Sequence, residues 1–166
     1  MLRKRPRKVA LSAAQAVDAE AAGKAAVVLL ARRDFCAREL RELLVAQGYE
    51  AGVVDGVVVE LGGRGYINDD RYARQYVAQH AERGHGPLRI ARELEQHGID
   101  PSLVAAALSD GEDWSRRARE LRIRRFGLKP PQSWAEKARQ ARFLQYRGFS
   151  TDHIRAALGS EIDDLT

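Results

Sequence analysis

The sequence is poor in the residues that carry most catalytic and cross-linking chemistry. It has one cysteine, Cys36, in 166 residues. That excludes an internal disulfide framework and any zinc site built on several thiolates. A lone thiol also fits a reducing compartment. No apolar run approaches the roughly 18 residues of a membrane span; the longest comparable stretch, Ala25 to Ala31, is far shorter. Aromatic residues make up only 7% of the chain, yet hydrophobic residues reach 45%, enough apolar surface for a folded rather than a disordered chain. The basic start Arg3-Lys4-Arg5-Pro6-Arg7-Lys8 looks like the first region of an export signal. Gln15, Asp18, Glu20 and Lys24 interrupt the segment behind it, so no apolar signal core exists and a cytoplasmic location is expected.

Motifs for catalysis are equally scarce. There is no GxxxxGK[ST] loop, and Gly62-Gly63-Arg64-Gly65 does not match a dinucleotide-binding GxGxxG; it reads as a turn. His80, His85, His97 and His153 show no metal-ligand spacing with one another or with Cys36, and no HExxH is present. His97 precedes Gly98, where a cation suits a helix C-terminus. Cys36 falls two residues after Asp34, read as a helix cap. A helix start can activate a thiol, but a small, half-buried residue is the expected role. Asp69-Asp70 opens a helix, where carboxylates complement the dipole. No catalytic, cofactor-binding or metal-binding residue is assigned, and an enzyme is not expected.

What is present is charge, unevenly placed. The formal net charge of +5 divides into +4 over residues 1–24, −1 over 25–65, −2 over 66–111, +7 over 112–159 and −3 over 160–166. A concentrated basic face attracts anionic partners, nucleic acid above all. In the last third, Arg116, Arg117, Arg119, Arg122, Arg124 and Arg125 crowd one helix, and Lys137, Arg139, Arg142 and Arg147 the next. These ten residues are the candidate partner-binding set. Arginine outnumbers lysine there, which suits bidentate pairing with phosphate or carboxylate. Trp114, Phe126, Trp134, Phe143 and Tyr146 are interleaved with them, and at helical spacing they are expected in the core.

The chain also repeats. Gly48, Gly98 and Gly148 are fifty residues apart. Each is preceded at four residues by Leu44, Leu94 or Leu144, and followed at once by Tyr49, Ile99 or Phe149. Val54, Val104 and Ile154 stand six residues after the glycines, and Val58, Leu108 and Leu158 ten after. A glycine between a helix and an apolar residue reads as a left-handed C-terminal stop. The helices after these glycines are expected to start at Asp100 before Pro101 in the second copy and at Ser150 or Thr151 in the third. Upstream helices are expected at about Lys24–Arg33, at Asp69–Glu82 after Asn68, and at about Asp113–Phe126 before Gly127. The glycine-ended helices are expected to start at Asp34, at Pro87 after Gly86, and at Ser133, where Ser133-Trp134-Ala135-Glu136 reads as a capping box. Val57-Val58-Val59 is β-prone, but its register with the other copies places it in a helix.

The fold is therefore expected to be all-α: nine helices in three tandem three-helix repeats, forming an elongated, curved helical-repeat molecule. The expected organisation is a basic, disordered tail over 1–23, repeats over 24–65, 66–111 and 112–159, and a short acidic tail over 160–166. Glycine in the joints allows some flexibility between repeats.

Three segments resemble the RecX family of regulatory proteins. The first is Leu29-Leu30-Ala31-Arg32-Arg33 with Ala37-Arg38-Glu39-Leu40 and the helix ending at Gly48-Tyr49. The second is Gly65-Tyr66-Ile67-Asn68-Asp69-Asp70-Arg71-Tyr72-Ala73, continuing through Gly86-Pro87-Leu88-Arg89-Ile90 and Glu93-Leu94 to Gly98-Ile99. The third is Arg142-Phe143-Leu144-Gln145-Tyr146-Arg147-Gly148-Phe149-Ser150, with Ile154 and Ala157-Leu158. The likeness spans about residues 25–159; the family's small polar residue at the start of the second helix is replaced by Asp34. The resemblance implies three tandem three-helix repeats that bind RecA. It implies a protein that lies in the groove of the RecA–DNA filament or blocks its growth, and that depresses ATPase, strand-exchange and coprotease activities. It implies no enzyme activity and no cofactor. The expected partners are RecA and its filament, with weak direct DNA contact, from a monomer without membrane association. Composition alone leaves two other readings: a basic helical-repeat protein that binds DNA independently of RecA, and a scaffold for another protein.

Overall fold

The computed structural model describes residues 11–159. The expectations for the Arg3–Lys8 arm and for residues 160–166 lie outside them. Among the described residues there are ten helices and no strand, one helix more than expected. The chain divides into two compact units, residues 1–72 and 73–166.

The first unit holds α1 (Ala13–Ala16), α2 (Ala19–Leu30), α3 (Ala37–Gln47) and α4 (Ala51–Gly63), and the start of α5 (Asp69–Glu82). Two expectations are corrected here. Residues 12–23 are not tail: Ser12 and Gln15 form a capping box on α1, and Asp18 caps α2 by accepting from the Ala21 N–H at 3.0 Å. The first long helix therefore starts five residues early and stops at Leu30. It cannot run on to Arg33, because the chain turns to bury Phe35 beneath the Arg33 guanidinium, 3.7 Å from its ring centre. Second, α3 is capped by Cys36, whose Sγ accepts from the Glu39 N–H at 3.4 Å. Asp34 instead pairs with Arg71 at 3.1 Å, and Asp69 reaches back to accept from the Ala37 N–H at 3.0 Å. The core is a set of helical faces: Ala22 and Ala26, Leu40 and Leu44, and Val54, Val57 and Leu61, with Phe35 and Ile67. Their three- and four-residue spacing puts each set on one side of its helix.

The second unit holds the rest of α5, then α6 (Pro87–Gln96), α7 (Pro101–Ser109), α8 (Trp114–Phe126), α9 (Trp134–Tyr146) and α10 (Thr151–Leu158). The starts read from sequence at Gly86-Pro87 and Asp100-Pro101 are present, and of Ser150 and Thr151 it is Ser150 that caps α10; Asp113, expected as the first residue of α8, is its cap instead. Asn68 serves α5 by accepting from the Arg71 N–H at 2.9 Å. At α9 only half of the expected capping box forms. Ser133 accepts from the Glu136 N–H, but the Glu136 carboxylate turns to the N–H of Gln132 at 2.8 Å.

The fifty-residue repeat has one backbone cause. Gly48, Gly98 and Gly148 have φ of +112°, +78° and +91°. In each copy the N–H after the glycine returns to the carbonyl of the repeat leucine: Tyr49 to Leu44, Ile99 to Leu94 and Phe149 to Leu144, at 3.3, 3.1 and 3.1 Å. The three leucines are completely buried. The position ten residues after each glycine is not the core position in every copy, since Val58 and Leu108 are half-buried. The residue before it carries the core: Val57, Ala107 and Ala157 are buried in all three.

Within the second unit the α9–α10 turn is fastened to α6. Gly86 N–H donates to the Arg147 carbonyl at 2.8 Å, and Leu88 N–H to the Gly148 carbonyl at 3.0 Å. The carbonyl end of α9 thereby satisfies N–H groups that the start of α6 would leave open, with the two helix dipoles head to tail. The third and second repeats meet here at backbone distance, and only glycine allows it.

Candidate partner-binding face

The ten basic residues do not form one uniform surface. On α8, Trp114, Ala118, Leu121 and Arg122 are the buried positions. Arg122 is only 5% exposed, so it is removed from the candidate face. It stands four residues after Ala118 and therefore on the buried side of the helix. Its guanidinium donates to the carbonyls of Lys129 at 3.1 Å and Leu128 at 3.5 Å, holding the Gly127–Gln132 connection against α8. Arg117 is half-buried and bidentate on Glu112, at 2.9 and 3.1 Å. Arg116 pairs with Glu120 at 2.8 Å, one helical turn away. Arg119 donates to the Ala156 carbonyl at 3.2 Å, near the C-terminal end of α10, where a cation is favoured. Lys137 is half-buried, and Arg147 lies over the Phe143 ring at 5.4 Å.

Four arginines remain. Arg124, Arg125, Arg139 and Arg142 are exposed and have no acidic partner among the described residues. Arg139 and Arg142 belong to an exposed stripe on α9, with Ala135 and Tyr146 at the same helical spacing. Arg125 and Arg139 flank a cleft of about 400 Å³ floored by Phe126 and Phe143, whose rings meet edge to face at 5.3 Å. Arg139 lies 5.5 Å from the Phe126 ring centre. Such a guanidinium is held against an aromatic face while its N–H groups stay open to an anion.

The aromatics depart from expectation. Only Trp114 is in the core, where its Nε1–H donates to the Leu108 carbonyl at 2.9 Å. Phe126 and Phe143 are half-buried, Trp134 is 69% exposed and Tyr146 84% exposed. Tyr146, in water on the same stripe as Arg139 and Arg142, is better suited to contact than to packing. The burial pattern separates the exposed aromatics from Trp114, and a helical period alone does not.

Cys36 is more enclosed than the half-buried residue expected from sequence. It is completely buried, and burial pushes its thiol above the ordinary value, against the opposing effect of the Glu39 N–H. A thiolate-selective reagent at neutral pH is expected to label Cys36 in the native protein at least about a hundredfold more slowly than in denaturant; equal rates would show that the cap opens freely.

Two of the histidines also differ from expectation, while His97 caps the C-terminus of α6 as expected. His80 and His85 do converge, with Nδ1 atoms 3.0 Å apart. Sequence spacing hides this because a left-handed Gly84, φ +80°, turns the chain back between them. His97 packs edge-on against Tyr76 at 5.4 Å. His153 reciprocates the Ser150 cap of α10, its Nδ1 accepting from the Ser150 N–H at 3.3 Å.

Comparison with known proteins bears on the same segments. Residues 68–108 match the family model described as the second three-helix domain of RecX, and residues 112–158 match the third. The regulatory protein RecX of Halorhodospira halophila (strain DSM 244 / SL1) is 42% identical over 146 residues, covering 87% of this chain and 91% of that protein. The regulatory protein RecX of Stenotrophomonas maltophilia (strain R551-3) is 39% identical over 140 residues, covering 84% and 86%. The crystal structure of RecX from Lactobacillus salivarius superposes with a TM-score of 0.73 at 22% identity, covering 84% of this chain and 93% of that one. That last likeness is one of fold.

Proposed function

The chain belongs to the RecX family of regulatory proteins, which are not enzymes, and from that premise we propose that it acts by binding RecA and the RecA–DNA filament. Bound there, it depresses ATP hydrolysis, strand exchange and coprotease activity. The observation that carries this reading to particular residues is the set of four arginines without acidic partners among the described residues, beside exposed Tyr146. An anionic surface, acidic protein or phosphate, supplies the partners that the described residues do not. The repeat boundaries at about 65/66 and 111/112, a monomeric state and a cytoplasmic location belong to the same reading. The structure bears on the last only in that no described helix is long and apolar enough to cross a membrane.

The test is titration into RecA on single-stranded DNA with ATP hydrolysis as readout. The double variant Arg139→Glu/Arg142→Glu is expected to need about tenfold more protein for the same inhibition, about 1.4 kcal/mol of binding, with an unchanged helical spectrum. Equal inhibition by the variant would remove this face from the interface. No effect of the natural chain on hydrolysis would remove RecA as the target.

A second reading is DNA binding without RecA, favoured by arginine held over the Phe126 and Phe143 rings, where bases could also stack. It requires tight binding by the chain alone, falling steeply with salt.

A further inference from the structure

Two imidazoles and a carboxylate meet where α5 ends and α6 begins. His80 is in the last turn of α5. The N–H of His85 donates to the His80 carbonyl at 3.0 Å, across the Gly84 turn, so the second imidazole returns beside the first. Glu93 comes from α6, with Oε2 3.3 Å from His80 Nδ1 and 3.9 Å from His85 Nδ1. With 3.0 Å between the two Nδ1 atoms, the three donors form a small triangle. Zinc bonds of about 2.0–2.1 Å at the tetrahedral angle need donors about 3.3–3.4 Å apart. The observed edges bracket that value.

We propose that His80 Nδ1, His85 Nδ1 and Glu93 Oε2 form a binding site for a borderline divalent cation, zinc foremost, with its fourth position open. Two imidazoles and one carboxylate are a donor set that zinc accepts. The protonation states suit it. Burial lowers both imidazoles below their usual value, which favours the neutral rings that a metal needs; the 3.0 Å contact between the Nδ1 atoms places one proton between them in the metal-free chain, and binding moves that proton to Nε2 or to solvent. Burial alone would raise Glu93, but hydrogen bonds from Arg89 and Tyr76 outweigh it and hold the carboxyl below its ordinary value.

The surroundings fix the donors in place. Tyr76 stacks on His80 with ring centres 3.9 Å apart, and its hydroxyl donates to Glu93 Oε2 at 3.0 Å. Arg89 Nε donates to the other carboxylate oxygen at 2.8 Å. Such outer contacts set ligand orientation and tune affinity. Arg89 also opposes a cation by its charge, as do Arg83 toward His80 and Arg147 toward His85. The site is therefore expected to release metal to a strong chelator. The three ligand side chains are 14–24% exposed, shielded but reachable from solvent.

Occupancy would cross-link the end of α5 to α6. Arg89 and Glu93 also line a cleft of about 900 Å³ shared with Tyr146, Gly148 and Arg155, so the metal would stiffen one wall of that cleft.

The experiment uses the full chain without a purification tag. Cobalt(II), a coloured stand-in for zinc, is titrated and its visible absorption followed; zinc is then added to displace it. One cobalt per chain is expected, with His85→Ala and Glu93→Gln each weakening binding by about tenfold or more. His153→Ala, remote on α10, is expected to bind as the natural chain does. Zinc should raise the melting temperature of the natural chain and leave that of His85→Ala unchanged. Absence of saturable binding, or binding by His85→Ala and Glu93→Gln as tight as that of the natural chain, would overturn the proposal. Glu93→Gln keeps the side chain's shape, so a folding defect in the histidine variant does not remove the test. The readout is metal binding alone and is independent of any RecA activity.

Discussion

Gly86→Ala is expected to cost the protein about 3 kcal/mol and to lower its melting temperature by about 6–12 °C. A Cβ at Gly86 would lie 2.4 Å from the carbonyl carbon and oxygen of Gly148 and 2.5 Å from the nitrogen of Phe149. Its φ of −86° and ψ of 166° are comfortable for alanine, so the cost comes from contact and not from backbone conformation. All three close atoms are backbone and cannot rotate aside. The start of α6 must withdraw from the α9–α10 turn, losing the Gly86–Arg147 and Leu88–Gly148 hydrogen bonds, worth about 1 kcal/mol each. The opposite wall is as tight: a Cβ at Gly148 would meet Arg89 Cβ at 2.4 Å. Gly56→Ala provides the contrast. It sits inside α4 with nothing within 4 Å of a new Cβ, and it is expected to stabilise by about 0.5–1 kcal/mol. Calorimetry on the pair checks both signs; a Gly86→Ala protein that melts with the natural one would deny the backbone contact between α6 and the α9–α10 turn.

Arg122→Glu is expected to destabilise by about 3 kcal/mol or more, and Arg125→Glu by no more than about 0.5 kcal/mol. The two residues sit three apart on α8, carry the same charge and look alike in the sequence. Arg122 is buried with two carbonyls as acceptors. A glutamate there turns a buried carboxylate toward those carbonyls and offers no donor. Arg125 faces water beside the Phe126–Phe143 cleft, and its replacement leaves nothing buried unpaired. Urea unfolding of both variants measures the difference. Equal midpoints would show that Arg122 does not hold the Gly127–Gln132 connection. The consequence for function is direct: loss of RecA inhibition in an Arg122 variant reports unfolding, whereas loss in Arg139→Glu/Arg142→Glu reports the surface.

Local signals in the sequence are legible where a single residue type satisfies a local backbone need. Gly98 and Gly148 stop helices, Asp100 and Ser150 start them, and Pro87 stands where its missing N–H costs nothing. The start of α3 is not legible in this way, because a thiol is an unusual cap and Asp34 a common one. Asp34 is claimed by Arg71, 37 residues away, and no local pattern reports that pairing. The candidate face is legible as a region and not as residues. Ten basic groups mark α8 and α9, but acidic neighbours occupy Arg116 and Arg117, and the core takes Arg122. Trp114 and Trp134 each follow a helix cap, yet one is buried and the other 69% exposed.

Helix content, the threefold repeat and the bias of charge toward the last third all follow from residue type and spacing along the chain. They depend on short-range rules: caps, left-handed glycines and helical periodicity act within a few residues. Folding in three dimensions decided which arginines meet water, that His80, His85 and Glu93 bring their donor atoms within 3.9 Å of one another, and that Gly86 and Gly148 touch. Those outcomes depend on burial and on contacts between helices. The same side chain ends as a buried hydrogen-bond donor or as a solvated charge according to what lies opposite it, and sequence spacing does not carry that information.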